Sequence, residues 1–362
     1  MNLNARKMSG EDIPFIYHVY EQKLIAALSK MFGAPIIRAC FQSRQLQGGT
    51  VGDVRLVEGI AESADGAKLP YRIILKTQKK WSRPGDFDCW RREYDLYASD
   101  FGKLFNESLR WAECYRAEIA DDGWELWLEY VDGVSGESLS EDMLEQAALE
   151  LGRFQGRIYR RPNSLERAIY LSDAGTMERD FAQWEPVTVE YQYLRYNKSE
   201  IPENMHKYIH SDKNEIPEHL RAMLIDAHRR IDETLAGIRR LPIVLCHRDF
   251  WTENIFFADG KITLIDWDGA GWGFMGEDIA SLVVDETPHE RWHEYYRKFT
   301  AAYQKGLSEY MDIPALDNYF IWEMIIIKFG YRMLQGHMFA ETDGGRRSAI
   351  VRLQKIYEMR SC

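Results

Sequence analysis

The segment spanning residues 241–273, LPIVLCHRDFWTENIFFADGKITLIDWDGAGWG, constrains this chain more than any other. A short apolar run at 243–245 leads into His247-Arg248-Asp249, and Asn254 follows five residues after Asp249. Apolar runs at 255–257 and 262–265 then flank Asp259-Gly260, a hairpin signal because both residues tolerate positive φ. The second run ends in Asp266. Two carboxylates and one amide are thereby gathered at the ends of short strands, where loops present them and apolar neighbours anchor them.

These residue types at this spacing suit phosphoryl transfer. A nucleoside triphosphate is handled with Mg²⁺, a hard cation that takes oxygen ligands, so Asn254 and Asp266 suit it better than His or Cys would. An acceptor hydroxyl needs a carboxylate within hydrogen-bond reach to orient it and accept its proton, a role that falls to Asp249, with His247 as scaffold. A coincidental hairpin with surface acids accounts for Asn254 or Asp266 taken singly; it is the joint spacing that points to chemistry. The pattern H-x-D-x-x-x-x-N followed by I-D-W resembles the aminoglycoside phosphotransferase and choline kinase family, small-molecule kinases of bilobal protein-kinase-like fold. The resemblance implies that Asp249 is the catalytic base, that Asn254 and Asp266 bind Mg²⁺, and that an N-terminal lobe clamps ATP.

The rest of the chain supplies further elements in the expected order. Runs at 51–60 and 69–75 are joined through Ala64-Asp65-Gly66-Ala67, and runs at 112–120 and 124–130 through Asp121-Asp122-Gly123, which predicts two hairpins. Trp90, Tyr94, Tyr97 and Phe101 predict one helix over 86–104. Beyond Val131-Asp132-Gly133 the pattern turns helical: one helix with Ser138 and Glu141 in capping-box spacing, then helices over 217–236, 290–305, 316–339 and 346–359. The recurrence KSEIPEN (198–204) and KNEIPEH (213–219) reads as two helix starts rather than a repeat array. The expected fold class is therefore α+β: residues 1–131 form a nucleotide-binding lobe with an antiparallel sheet and one helix, and residues 132–362 form a larger, mainly helical catalytic and acceptor-binding lobe.

Within the first lobe, Lys76 ends the run Tyr71-Arg-Ile-Ile-Leu-Lys76, where the family's strand lysine reaches the α- and β-phosphates; an ordinary strand-end lysine is the alternative. Glu93 shares a helix face with Trp90 and Tyr97, and Lys76 is its natural partner. Gly48 and Gly49, in Gln47-Gly-Gly-Thr-Val-Gly52, stand where a glycine loop over phosphates belongs, although a plain turn explains them as well. Residues from Glu129 to Val131 match the hinge whose backbone bonds adenine. In the second lobe Asp278 resembles the aspartate that caps a helix and supports the catalytic loop. Asp268 is either a group behind the metal or a surface acid. Gln155 departs from the histidine usual in the family at that place.

Composition narrows the function further. The net charge of −11 disfavours nucleic acid as a partner. Five scattered cysteines without metal spacing fit a reducing compartment, and neither a secretory signal nor a membrane span is evident, so a cytoplasmic protein is expected. Residues 1–131 hold 18 basic and 19 acidic side chains, and the remainder holds 28 and 38. This acid surplus, with aromatics at Trp184, Tyr191, Tyr193, Tyr196, Trp272, Trp292, Tyr295, Tyr296 and Trp322, leans towards a cationic or sugar-like hydroxyl acceptor, against a reading of core aromatics and a solvated face. No activation segment follows Asp266, so a protein acceptor is disfavoured. The expected activity is ATP- and Mg²⁺-dependent phosphorylation of a small molecule. A catalytically silent kinase-fold binding or scaffold protein is the alternative, and the oligomeric state is open.

Overall fold

The computed structural model describes residues 12–46, 52–82, 89–99, 101–159, 207–211, 214–238, 240–311 and 318–360. They fall into two compact units, one drawn from Met1–Lys80 and Ala112–Val131 and the other from Trp81–Trp111 and Asp132–Cys362.

The first unit consists of α1 (Asp12–Phe32) and strands β1 (Ile36–Gln45), β2 (Gly52–Ser63), β3 (Lys68–Lys79), β5 (Cys114–Ala120) and β6 (Gly123–Glu129), while β4 (Leu109–Trp111) lies in the second. The five strands form an antiparallel sheet in the order β1-β2-β3-β6-β5. Both expected hairpins form, and Gly66 takes φ 87° in the first turn, a conformation glycine adopts without steric cost. Helix α1 and strand β1 were not among the expected elements. Leu24, Ala27 and Leu28 of α1 bury against Ile36, Ala39, Val57, Tyr71, Ile73, Leu75 and Trp127, so this helix closes one face of the sheet. Lys23 of α1 bridges Glu118 (2.6 Å) and Glu125 (2.9 Å). Strand alternation turns Tyr71, Ile73 and Leu75 towards α1 and Lys76 to the opposite face. Lys76 lies within β3, opposite Val54 and Leu126, because pairing continues to Lys79; it does not end the strand as expected.

The second unit begins with α2 (Arg92–Ala98), set between 3₁₀ turns at Cys89–Arg91 and Phe101–Leu104. The helix is shorter than the 86–104 expectation because the Ser99 hydroxyl donates to Leu96 O (2.8 Å) and accepts from Phe101 N (3.1 Å), ending it. Helix α3 (Glu141–Tyr159) follows, and Ser140, not Ser138, accepts from Met143 N (3.3 Å) at its start; Ser138 belongs to the preceding 3₁₀ turn. The predicted helix over 217–236 is two, α4 (Glu218–Arg229) and α5 (Ile231–Ile238). Of the two similar heptapeptides, the second leads into α4 directly after Pro217, and the first lies outside the described residues.

The polar block then lies on β7 (Ile243–Cys246), β8 (Ile255–Ala258), β9 (Lys261–Leu264) and β10 (Gly271–Phe274). Strands β4, β9 and β8 form one small sheet and β10 pairs with β7 in another. The chain continues through α6 (Glu277–Val284), α7 (Trp292–Ser308) and α8 (Asn318–Ile325). A π turn (Ile326–Gly330) then leads into α9 (Tyr331–Phe339), and α10 (Asp343–Met359) follows.

Helix α7 lies unusually close to α3. A Cβ at Gly152 would overlap the Tyr303 carbonyl, and one at Gly306 would overlap the Leu149 carbonyl, so each helix offers a glycine to the other's backbone. By contrast, nothing lies within 4 Å of a Cβ at Gly336 on α9. Gly306→Ala should therefore destabilise the chain by ~1–3 kcal/mol, as overpacking does. Gly336→Ala should be neutral or stabilise by up to ~1 kcal/mol, since an exposed helical glycine loses more backbone entropy than alanine. Urea melts of the two variants beside the parent check the contrast.

Candidate active site

Strand β7 ends at Cys246, and the chain turns at once into His247-Arg248-Asp249. Arg248 has φ 67°, a left-handed conformation that costs a non-glycine residue ~1–2 kcal/mol, so something must hold it. The side chain of Asp278, in the first turn of α6, takes on that task. Its Oδ2 accepts from His247 N (2.8 Å) and its Oδ1 from Arg248 N (2.7 Å). Asp278 is 1% exposed, and burial raises its pKa against the opposing pull of His247 and the two amides.

Gln155 of α3 completes this carboxylate's shell. Its Nε2 donates to Asp278 Oδ2 (3.0 Å) and to Leu245 O (2.9 Å), while the Tyr303 hydroxyl of α7 donates to its Oε1. The His247 ring lies tilted against Trp267, with centroids 4.4 Å apart, and its Nε2 donates to Ile265 O (3.0 Å). A carbonyl can only accept, so Nε2 must carry the proton. Thus His247 ties the Asp249 loop to the segment that leads from β9 to Asp266.

Asp249 and Asn254 meet directly. Asn254 Nδ2 donates to Asp249 Oδ2 (2.8 Å) and to Asp249 O (2.9 Å), and Trp251 Nε1 reaches the same Oδ2 at 3.3 Å. Both donors fall on Oδ2. With the amide NH₂ committed to Asp249, the oxygen of the Asn254 side chain is the atom left to act as a ligand. Pairing of Ile255 with Leu264, extended by Ile265 N to Asn254 O (3.1 Å), sets Asn254 beside the strand end that carries Asp266. Asp266 is left-handed, with φ 64° and ψ 65°. An amide oxygen and a carboxylate are hard donors that fit a divalent cation of the Mg²⁺ or Ca²⁺ kind. Among the described residues no group of three or more His, Cys, Asp or Glu side chains forms a metal cluster.

Helix α2 grips the segment after Asp266. Glu93 is buried, and its Oε1 accepts from Trp267 N (3.4 Å), while Arg92 NH1 donates to Asp268 O (2.7 Å). Sequence reasoning singled out Glu93 and missed Arg92; the signal was the Arg91-Arg92-Glu93 run on a helix otherwise facing the core. The Asp268 backbone is thus held within this unit. Lys76, Glu129 and Val131 belong to the first unit, where Glu129 N donates to Glu113 O (2.8 Å), Glu113 N donates to Glu129 Oε2 (3.1 Å), and Val131 is buried. Gly48 and Gly49 lie outside the described residues, as do Trp184, Tyr191, Tyr193 and Tyr196. Trp292, Tyr295, Tyr296 and Trp322 are buried core residues, and Trp272 is half-buried.

The phosphotransferase enzyme family model matches residues 111–313, more than half of the chain. The protein belongs to this family of phosphotransferases and is a small-molecule kinase. Among solved structures it is similar to a choline kinase from Cryptosporidium parvum Iowa II (14% identity, 94% of this chain and 96% of that one covered, TM-score 0.54). It is also similar to the amicoumacin kinase hAmiN in complex with AMP-PNP, Ca²⁺ and Ami (15% identity, 88% of each chain, TM-score 0.52). A third is a microcompartment-associated aminopropanol kinase (15% identity, 92% and 95%, TM-score 0.50). At such identities the likeness establishes the fold, which is the α+β protein-kinase-like one. No curated protein matches the chain. No helix among the described residues is long and apolar enough to cross a membrane.

Replacing Asp278 by alanine should leave two buried amides without an acceptor, at ~1–3 kcal/mol each. A thermal melt should show the loss, and the milder Asp278→Asn, which retains one acceptor oxygen, should fall between parent and alanine variant.

Proposed function

We propose that this chain transfers the γ-phosphoryl group of ATP, with Mg²⁺, to a hydroxyl of a small, cationic or sugar-like molecule of the aminoglycoside or choline type. The observation that carries the reading is the Asp249–Asn254 pair. Trp251 and Asn254 both donate to Asp249 Oδ2, which leaves Oδ1 as the atom to meet an acceptor hydroxyl, orient it and take its proton. Asn254, through its oxygen, and Asp266 would hold Mg²⁺, which when bound offsets negative charge on the phosphate oxygens.

The proposed roles extend to the first unit: Lys76 for the α- and β-phosphates, the backbone from Glu129 to Val131 for adenine, and the loop of Gly48 and Gly49 over the phosphates. Glu93 joins them in organising the nucleotide site. The division of residues 1–131 for nucleotide and 132–362 for acceptor follows the same reading. Support for a cationic acceptor comes from the acid surplus of residues 132–362. A cytoplasmic location matches the four described cysteines, all free thiols.

The test is ATP turnover with Mg²⁺ over a panel of aminols and aminoglycosides. At least one acceptor should stimulate turnover in the parent, and Asp249→Ala should lower kcat by a factor of ~10² or more. Asp266→Ala should weaken metal-dependent nucleotide binding more than Asp249→Ala does, because it removes a ligand instead of a proton acceptor. If no acceptor stimulates turnover and nucleotide leaves the Tm unchanged, the chain is a kinase-fold binding protein.

A further inference from the structure

Helix α6 carries a polar stripe beyond its first residue, Glu277. Ile279, Ala280, Leu282, Val283 and Val284 pack in the core, and Asp278 and Ser281, also buried, together with Asp285, just past the helix end, follow at spacings of three and four and so share a face. Asp278 holds the amides of His247 and Arg248 as described above. Ser281 and Asp285 meet two cations that are likewise four residues apart. Lys328 Nζ donates to Ser281 Oγ (2.9 Å), and Arg332 NH1 donates to Asp285 Oδ1 (3.1 Å). Lys328 has a second acceptor, the carbonyl of Arg248 at 3.2 Å.

That carbonyl belongs to the peptide unit joining Arg248 to Asp249. Asp278 fixes the two amides that precede it, His247 N and Arg248 N, and Lys328 fixes its oxygen. Together the two side chains determine the rotation about the left-handed Arg248 and hence the plane from which the Asp249 side chain departs. Lys328 is presented by the π turn at 326–330, a wider turn set between two α-helical segments, and such insertions recur where a helix must aim one side chain at a functional element.

We propose that Lys328 is a positioning residue for phosphoryl transfer: its ammonium, bonded to Ser281 and to the Arg248 carbonyl, sets the direction of the Asp249 carboxylate. The proposal rests on the reading of Asp249 as the proton acceptor. A different role is open to the same lysine, since it lies close enough to Asp278 and Asp285 to draw both carboxyls down from where burial pushes them. Charge compensation of that kind would affect folding but not the reaction step, and kinetics separates the two.

The experiment compares Lys328→Met, Lys328→Arg, Ser281→Ala and Asp249→Asn with the parent in acceptor-dependent turnover, with KM for nucleotide and Tm measured alongside. Lys328→Met should lower kcat by ~10- to 100-fold, the scale of a misplacement of about 1 Å, with KM for nucleotide within about threefold of the parent. Lys328→Arg, which restores a cation able to donate to a carbonyl, should recover most of that loss. Ser281→Ala keeps the lysine but frees its anchor, and should lower kcat by a smaller factor; it carries the test if Lys328→Met does not fold. Parental kcat in the folded Lys328→Met or in Ser281→Ala, or a loss confined to KM or Tm, would overturn the proposal. Asp249→Asn separates the premises: if it retains turnover, the reading of Asp249 fails, whereas if it is inactive while Lys328→Met matches the parent, only the role of Lys328 fails.

Discussion

A buried carboxylate accepting two successive backbone amides is the interaction on which the rest of this site depends. Asp278 bonds His247 N and Arg248 N from the first turn of α6, where the helix's own free N–H groups favour negative charge. Asp278 holds the amide side of the left-handed Arg248 and so helps turn the chain leaving β7 to present Asp249. The neighbouring residues serve the same end. Gly276 precedes the helix at φ 108°, with Ile321 and Met324 side-chain atoms 3.2 Å from where a Cβ would stand, and Glu277 Oε1 accepts from Phe274 N at 2.7 Å. Gln155 and Tyr303 supply hydrogen bonds from α3 and α7, so three helices support one loop.

Anchoring and chemistry are thereby assigned to different residues. His247, Asp278 and Gln155 spend their side chains on backbone and on one another, whereas the Asn254 amide nitrogen bonds Asp249 Oδ2 and O in a way that leaves a side-chain oxygen on each for other partners. The segment after Asp266 is held from the other side by Arg92 and Glu93 of α2. Of the three left-handed non-glycine residues in the block, Asp259 belongs to the β8–β9 turn, whereas Arg248 and Asp266 lie next to or at a proposed functional carboxylate, where local strain is stored and the surroundings over-determine it.

How much of this was legible beforehand follows from distance along the chain. Asp249, Asn254 and Asp266 lie within 18 residues and sit on short strands whose apolar runs and Asp-Gly turn are local signals, so their grouping could be read directly. The two N-terminal hairpins and the family were legible for the same reason. Helix α1 carries its own local signal, Leu24, Ala27, Leu28 and Met31 at helical spacing, but stands beside strand-rich runs whose stronger alternation masks it. The contacts of Gln155 with Asp278 and of Lys328 with Ser281 and Arg248 span 123, 47 and 80 residues, and no periodicity encodes such pairings. The π turn compounds this, since it breaks the 3.6-residue period that would assign Lys328 a face.

The central claim, that Asp278 holds the loop that presents Asp249, can be measured most directly by native-state amide hydrogen exchange at His247 and Arg248. Both N–H groups are bonded to a buried carboxylate and open only when α6 and β7 separate, so their protection should approach that of the core strands. Exchange of either amide at the rate of an exposed loop would contradict the account.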